Sequence, residues 1–152
     1  MAEVWFYQLT ASPLEQTLPN LLERSLERGW RVLLRCGSAA GMEELDALLW
    51  TYRDASFLPH GTSRRDHADR QPIYLTIGDE NPNRARILML VDGARAAPEE
   101  MREFERTCLV FDGNDAPRLE EARRDWRAVR AAGLPAKYWA QEDGRWIQKA
   151  SG

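Results

Sequence analysis

The 152 residues predict a single three-layer α/β domain spanning 1–152: a mostly parallel, Rossmann-like sheet with helices on both faces, no nucleotide site, and a C-terminal β-hairpin. Three observations predict it. Short apolar runs alternate with segments whose apolar residues recur at helical spacing. The first strand, helix and strand follow one another through tight connections, which makes a βαβ unit and parallel strands the expected arrangement. No repeat or low-complexity linker divides a chain of one domain's length.

Glu3 to Leu9 is an apolar and aromatic run suited to a buried strand. Ser12-Pro13-Leu14-Glu15 then reads as an N-cap, a proline at the first helical position and a capping-box glutamate. The helix that follows aligns Leu14, Leu18, Leu21, Leu22 and Leu26 and stops at Gly29. Trp30 to Cys36 is a second strand, and a second helix runs from Ser38 to Tyr52 with Met42, Leu45, Leu48, Leu49 and Tyr52 at helical spacing. Phe57 and Leu58 form a brief apolar segment closed by Pro59. His60 to Gln71 holds Arg64, Arg65, Asp66, Asp69 and Arg70 with almost nothing apolar, which reads as a mobile polar loop. Pro72–Ile77 and Arg86–Val91 are strands, Pro98 opens a short helix reaching Phe104, and Thr107–Phe111 is the next strand. A long helix covers Pro117 to Ala132 before Gly133, and Tyr138 to Ile147 folds as a hairpin about Asp143-Gly144.

Composition excludes several functions. With 21 Lys+Arg against 24 Asp+Glu the net charge is −3, so the whole has no electrostatic reason to hold nucleic acid; a basic face must be local and direct DNA binding weak. No apolar run approaches the roughly 18 residues of a membrane span, and no leader pattern opens the chain, so a cytoplasmic location is expected. Cys36 and Cys108 lie far apart in apolar strands and read as buried thiols. His60 and His67 share a polar loop without other ligand types, so neither metal nor cofactor is expected.

Catalytic patterns are also missing. The first β-to-α turn, Thr10-Ala11-Ser12-Pro13, has neither glycine to wrap a phosphate nor lysine to reach one. The second, Gly37-Ser38-Ala39-Ala40-Gly41, reads as a tight connection with an N-cap at Ser38. Glu43-Glu44 and Glu99-Glu100 sit near helix starts, where acids complement the macrodipole. An interaction module is therefore the default, with no intrinsic enzymatic activity.

The last helix carries the strongest signal. Leu119, Ala122, Trp126 and Val129 fall on the face expected to meet the sheet; Arg123, Arg127 and Arg130 lie beside it, and Glu120, Glu121 and Asp125 fall on the far side. Arg123, Trp126, Arg127 and Arg130 thus form one contiguous basic, aromatic patch. Guanidiniums grip carboxylates bidentately and an adjoining apolar pocket takes a side chain, so a short acidic peptide with a free C-terminus fits best. Two alternatives are a direct single-stranded nucleic-acid binder, using the Arg64, Arg65 and Arg70 loop with the last helix, and a degenerate nucleotide-binding enzyme.

Nearly end to end, the sequence resembles the chi subunit of bacterial DNA polymerase III holoenzyme. The resemblance rests on Phe6-Tyr7-Gln8-Leu9, Arg31-Val32-Leu33, Leu45-Asp46-Ala47-Leu48-Leu49-Trp50, Ser56-Phe57-Leu58-Pro59-His60 and the helix from Arg123 to Gly133. It implies a non-catalytic replisome link. Such a subunit binds the acidic C-terminal tail of single-stranded-DNA-binding protein (SSB), which ends in aspartates and a terminal phenylalanine, and reaches the clamp loader through a psi subunit. Arg123, Trp126, Arg127 and Arg130 match the tail-binding helix. Leu119 stands where some members carry a basic residue. Trp50 and Phe57 match the psi-binding positions, with Leu58 beside them.

Overall fold

The computed structural model describes residues 2–10, 13–51, 60–62, 72–142 and 145–151. Its elements in chain order are β1 (Glu3–Leu9), α1 (Leu14–Glu27), β2 (Val32–Cys36), α2 (Ala39–Thr51), β3 (His60–Thr62), β4 (Ile73–Thr76), β5 (Ile87–Val91), α3 (Pro98–Met101), β6 (Arg106–Asp112), α4 (Ala116–Ala131), β7 (Ala136–Glu142) and β8 (Arg145–Ser151). The strands form one sheet in the order β3-β4-β2-β5-β6-β1-β7-β8. All neighbours are parallel except the β7–β8 hairpin.

Alternation along the strands builds two cores. Tyr7 and Leu9 of β1, Val32, Leu34 and Cys36 of β2 and Ile87, Met89 and Val91 of β5 meet α1 and α2 on one face. Val4 and Phe6, Leu33, and Leu88 and Leu90 meet α3 and α4 on the other. β2, β4 and β5 are buried throughout, as parallel strands covered on both faces must be. The charged exception, Arg35 of β2, holds Glu100 of α3 in a two-point ion pair at 2.9 and 2.5 Å. Glu100 is thus a structural carboxylate, as expected. Glu43 and Glu44 lie one turn beyond the start of α2.

The structure revises several details. β1 and β2 are parallel members of one sheet but not neighbours, because β5 and β6 insert between them. α1 begins at Leu14 with Pro13 as its cap and no side-chain cap bond; Ser12 lies outside the described residues. Its end is as expected: Gly29 adopts φ +80° and Trp30 N–H donates to Ser25 O at 3.1 Å, closing a Schellman turn. His60–Thr62 does not begin a loop. It forms edge strand β3, His60 pairing with Ile73, because a strand edge binds any backbone regardless of side-chain polarity. Residues 63–71, Phe57 and Leu58, and the hairpin tip Asp143-Gly144 lie outside the described residues. The helix from Pro98 ends at Met101, short of Phe104. No helix among the described residues is long and apolar enough to cross a membrane.

Candidate peptide-binding site on the last helix

α4 is fixed at both ends by its own sequence. Asp115 caps it, its side chain accepting from Arg118 N–H, and Pro117 lies in the first turn. At the other end Gly133, at φ +80°, lets Leu134 N–H reach Val129 O at 3.2 Å. Ala122, Asp125 and Val129 are its buried residues.

Trp126 is half-buried on an aromatic floor. Its ring meets Phe6 of β1 edge-on at 5.4 Å and Tyr138 of β7 at 5.8 Å. Phe6 and Tyr138 are register partners on adjacent strands and lie parallel to each other at 6.1 Å. Tyr138 donates its hydroxyl to Gln8 Oε1, which pins the floor from below. Burial pushes the Tyr138 phenol above its ordinary pKa, and the nearby Arg123 guanidinium partly opposes that rise.

Arg123, Arg127 and Arg130 are exposed beside Trp126, and the Arg130 guanidinium sits 6.0 Å from its ring centre. The structure therefore brings the four predicted residues together. Two of the predicted far-side acids are placed differently. Asp125 is buried and accepts from Arg95 at 2.5 Å, because the face against the sheet is centred nearer Ala122, Asp125 and Val129 than expected. Glu120 borders the basic strip, 3.7 Å from Arg123, so one arginine of the patch already has a carboxylate partner. Arg127 and Arg130 have no ion pair among the described residues.

Arg118 does not substitute for a basic side chain at Leu119. Its guanidinium lies over Gly93, where any Cβ would be 2.1 Å from Nη1, and it reaches Glu121 at 3.4 Å. That places it in a separate crevice of about 510 Å³ at the carboxyl ends of β1, β5 and β6.

Trp50 lies in the last turn of α2, while its predicted companions Phe57 and Leu58 are outside the described residues. Cys36 and Cys108 are buried free thiols, and burial pushes both up to about 12. His60 lies in β3 and His67 is outside the described residues.

One feature escaped the sequence. β2 and β5 send their connections in opposite directions across the sheet, the position where α/β folds place ligands. There Asp92, at φ +54°, accepts from Ser38 Oγ at 2.7 Å while Ser38 Oγ accepts from Gly41 N–H at 3.1 Å. An intramolecular carboxylate thus sits at the N-terminus of α2, a position that in general favours a bound anion such as a phosphate. Gly37 and Gly41 are glycines because a Cβ would come within 1.9 Å of Asp92 O and 2.1 Å of Asp92 Oδ2 respectively.

Comparison with known proteins identifies the family. Residues 1–137 match the family described as DNA polymerase III chi subunit, HolC. The chain is 33% identical over 140 residues to the DNA polymerase III subunit chi of Pseudomonas aeruginosa, covering 89% of this chain and 94% of that protein. It is 25% identical over 117 residues to the probable DNA polymerase III subunit chi of Rickettsia prowazekii, covering 74% and 71%. With nearly all of its α/β domain matched, this chain belongs to the DNA polymerase III chi subunit family, a replication accessory subunit that is itself non-catalytic.

Proposed function

We infer that this protein binds the acidic C-terminal tail of SSB through Arg123, Trp126, Arg127 and Arg130, and links it to the clamp loader and polymerase through a psi-type partner docked at Trp50, Phe57 and Leu58. The observation that carries the tail reading is the exposed arginine strip beside an indole wedged on Phe6 and Tyr138. Arg127 and Arg130 would take the tail's carboxylates, and the open part of Trp126 would wall the terminal phenylalanine. DNA is then reached indirectly. An SSB oligomer offers several tails, so a modest single-tail affinity still holds the assembly through effective concentration.

The test is titration of a synthetic tail peptide against wild type and Arg127→Ala. Binding is expected to weaken with salt, because exposed charges are screened over about 8–10 Å. Unchanged affinity in Arg127→Ala, or equal binding by a peptide lacking its terminal phenylalanine, refutes the site. The psi-type partner is tested separately by pull-down from the source cell with Trp50→Ala as bait, which should lose that partner but keep SSB.

A further inference from the structure

The face of the sheet opposite α4 carries a second cluster of cations and aromatics. α1 and α2 pack mainly over β2, β3, β4 and β6 on that face, so its β1–β7–β8 flank is finished by aromatic side chains instead of a helix. Trp5 meets Trp139 at 5.5 Å, Tyr7 meets Trp146 at 5.0 Å, and Trp30 packs against the same core. Trp5, Trp30, Trp139 and Trp146 all remain partly exposed.

Cations are interleaved with these rings. The Arg106 guanidinium lies 3.7 Å from the Trp5 ring centre and 5.2 Å from that of Trp30, Lys137 Nζ is 5.0 Å from Trp5, and Arg28 is 5.0 Å from Trp30. Arg106 is committed, pairing with Glu3 at 3.0 Å. Arg24, Arg28 and Lys137 have no ion pair among the described residues. Arg24 in the last turn of α1 and Arg28 at its C-cap lie four residues apart on the flank turned toward Tyr7, where both oppose the rise that burial imposes on its phenol. At 100° per residue, Glu23 and Glu27 lie further round the helix from its buried residues than Arg24 and Arg28 do.

We propose that this flank, with Arg24, Arg28 and Lys137 as phosphate contacts and Trp30, Trp139 and Trp146 as a stacking surface, is a binding face for single-stranded nucleic acid. Charge complementarity demands an anionic occupant. Shape then favours bases over a peptide, because the partly exposed indoles offer flat ring surface directly beside the cations. Flat indoles beside cations stack any base without reading sequence. The face is local, as an acidic chain requires, and it is separate from the α4 strip. It uses neither the Arg64–Arg70 segment nor the last helix.

The test uses the full chain and an oligothymidylate of roughly 12 nucleotides, within the usual site sizes for such surfaces. Tryptophan fluorescence quenching at about 50 mM salt should report binding, with a log–log salt slope near −2 for three phosphate contacts. Arg28→Glu with Lys137→Glu should lower affinity about tenfold or more and flatten the slope toward about −0.7. Arg28→Gln with Lys137→Gln provides the milder pair should charge reversal disturb folding. Arg127→Ala should leave oligonucleotide binding unchanged, and the α1/β7 variants should leave tail-peptide binding unchanged, so the two sites fail separately. Absence of quenching, loss in Arg127→Ala instead of the α1/β7 variants, or equal quenching by poly-glutamate would overturn the proposal, the last by identifying an acidic protein as the occupant.

Discussion

Replacing Trp126 by alanine tests the floor and the peptide site together. Removing a fully buried tryptophan costs about 3–5 kcal/mol; with the ring half-exposed, roughly half of that, about 2 kcal/mol, applies. The edge contacts with Phe6 and Tyr138 add at most about 0.5–1.5 kcal/mol each, of which Trp126→Phe keeps a part. Trp126→Ala is therefore expected to destabilise the fold by about 3 kcal/mol, which for a domain of this size lowers Tm by roughly 6–12 °C. Trp126→Phe should lose no more than about half as much. Urea unfolding with an unchanged m-value gives the stability term. Tail-peptide titration of the same variants gives the second, where a central aromatic anchor is worth about 2 kcal/mol, or near thirtyfold. A destabilised Trp126→Ala that binds peptide as tightly as wild type would make the ring a core plug and refute the site. A variant that loses binding with less than about 0.5 kcal/mol of stability would refute the clamping by Phe6 and Tyr138.

Three further outcomes follow from the same geometry. Glu120→Gln removes the carboxylate that competes for Arg123 and should tighten tail binding two- to fivefold, the range open to an exposed pair worth up to about 1 kcal/mol; calorimetry reads it. Gly37→Ala sets a Cβ against the rigid backbone oxygen of Asp92 and should cost more than about 3 kcal/mol, seen as a large fall in urea midpoint. Cys36 and Cys108 are held up to about 12 when folded, against 9.0 as the ordinary value, so the unfolded chain loses those protons first. Stability should then be unaffected by the thiols below pH 9 and fall above it, by up to about 1.4 kcal/mol per pH unit for each, and the Cys36→Ala, Cys108→Ala variant should show a shallower alkaline decline.

Strong local periodicity made most of the fold legible. Continuous apolar runs such as Val32–Leu34 and Ile87–Val91 have few ways to be buried other than as interior parallel strands, and the glycines at 29 and 133 terminate their helices where the sequence places them. Strand order was not legible, because the insertion of β5 and β6 between β1 and β2 is decided by long-range packing. His60–Thr62 escaped for a related reason: its pairing with β4 uses backbone groups, to which side-chain patterning is blind. In the candidate site the helical wheel identified Arg123, Trp126, Arg127 and Arg130, yet Phe6 and Tyr138 beneath them lie 120 and 12 residues away in sequence and come together only through the β1–β7 register. Period-two alternation in both strands was the available signal.

The far-side acids matter more than a misplaced bearing suggests. α4 carries five arginines and three acids between Arg118 and Arg130, a net +2 in a chain of −3, so the remainder carries −5. Each acid has a cation within reach: Glu120 with Arg123, Glu121 with Arg118, Asp125 with Arg95. Arg95 comes from outside the helix, so Asp125 neutralises no arginine of α4. Arg124, Arg127 and Arg130 are left without ion pairs among the described residues, all exposed and adjacent on the helix surface. The helix therefore displays more positive charge than its composition indicates, because an exposed arginine from outside α4, Arg95, occupies Asp125, the helix's one buried acid, and leaves the arginines of the strip uncompensated by it. On the proposed function, an acidic tail would meet that uncompensated edge with Trp126 at its border and Glu120, beside Arg123, as a carboxylate competing with it.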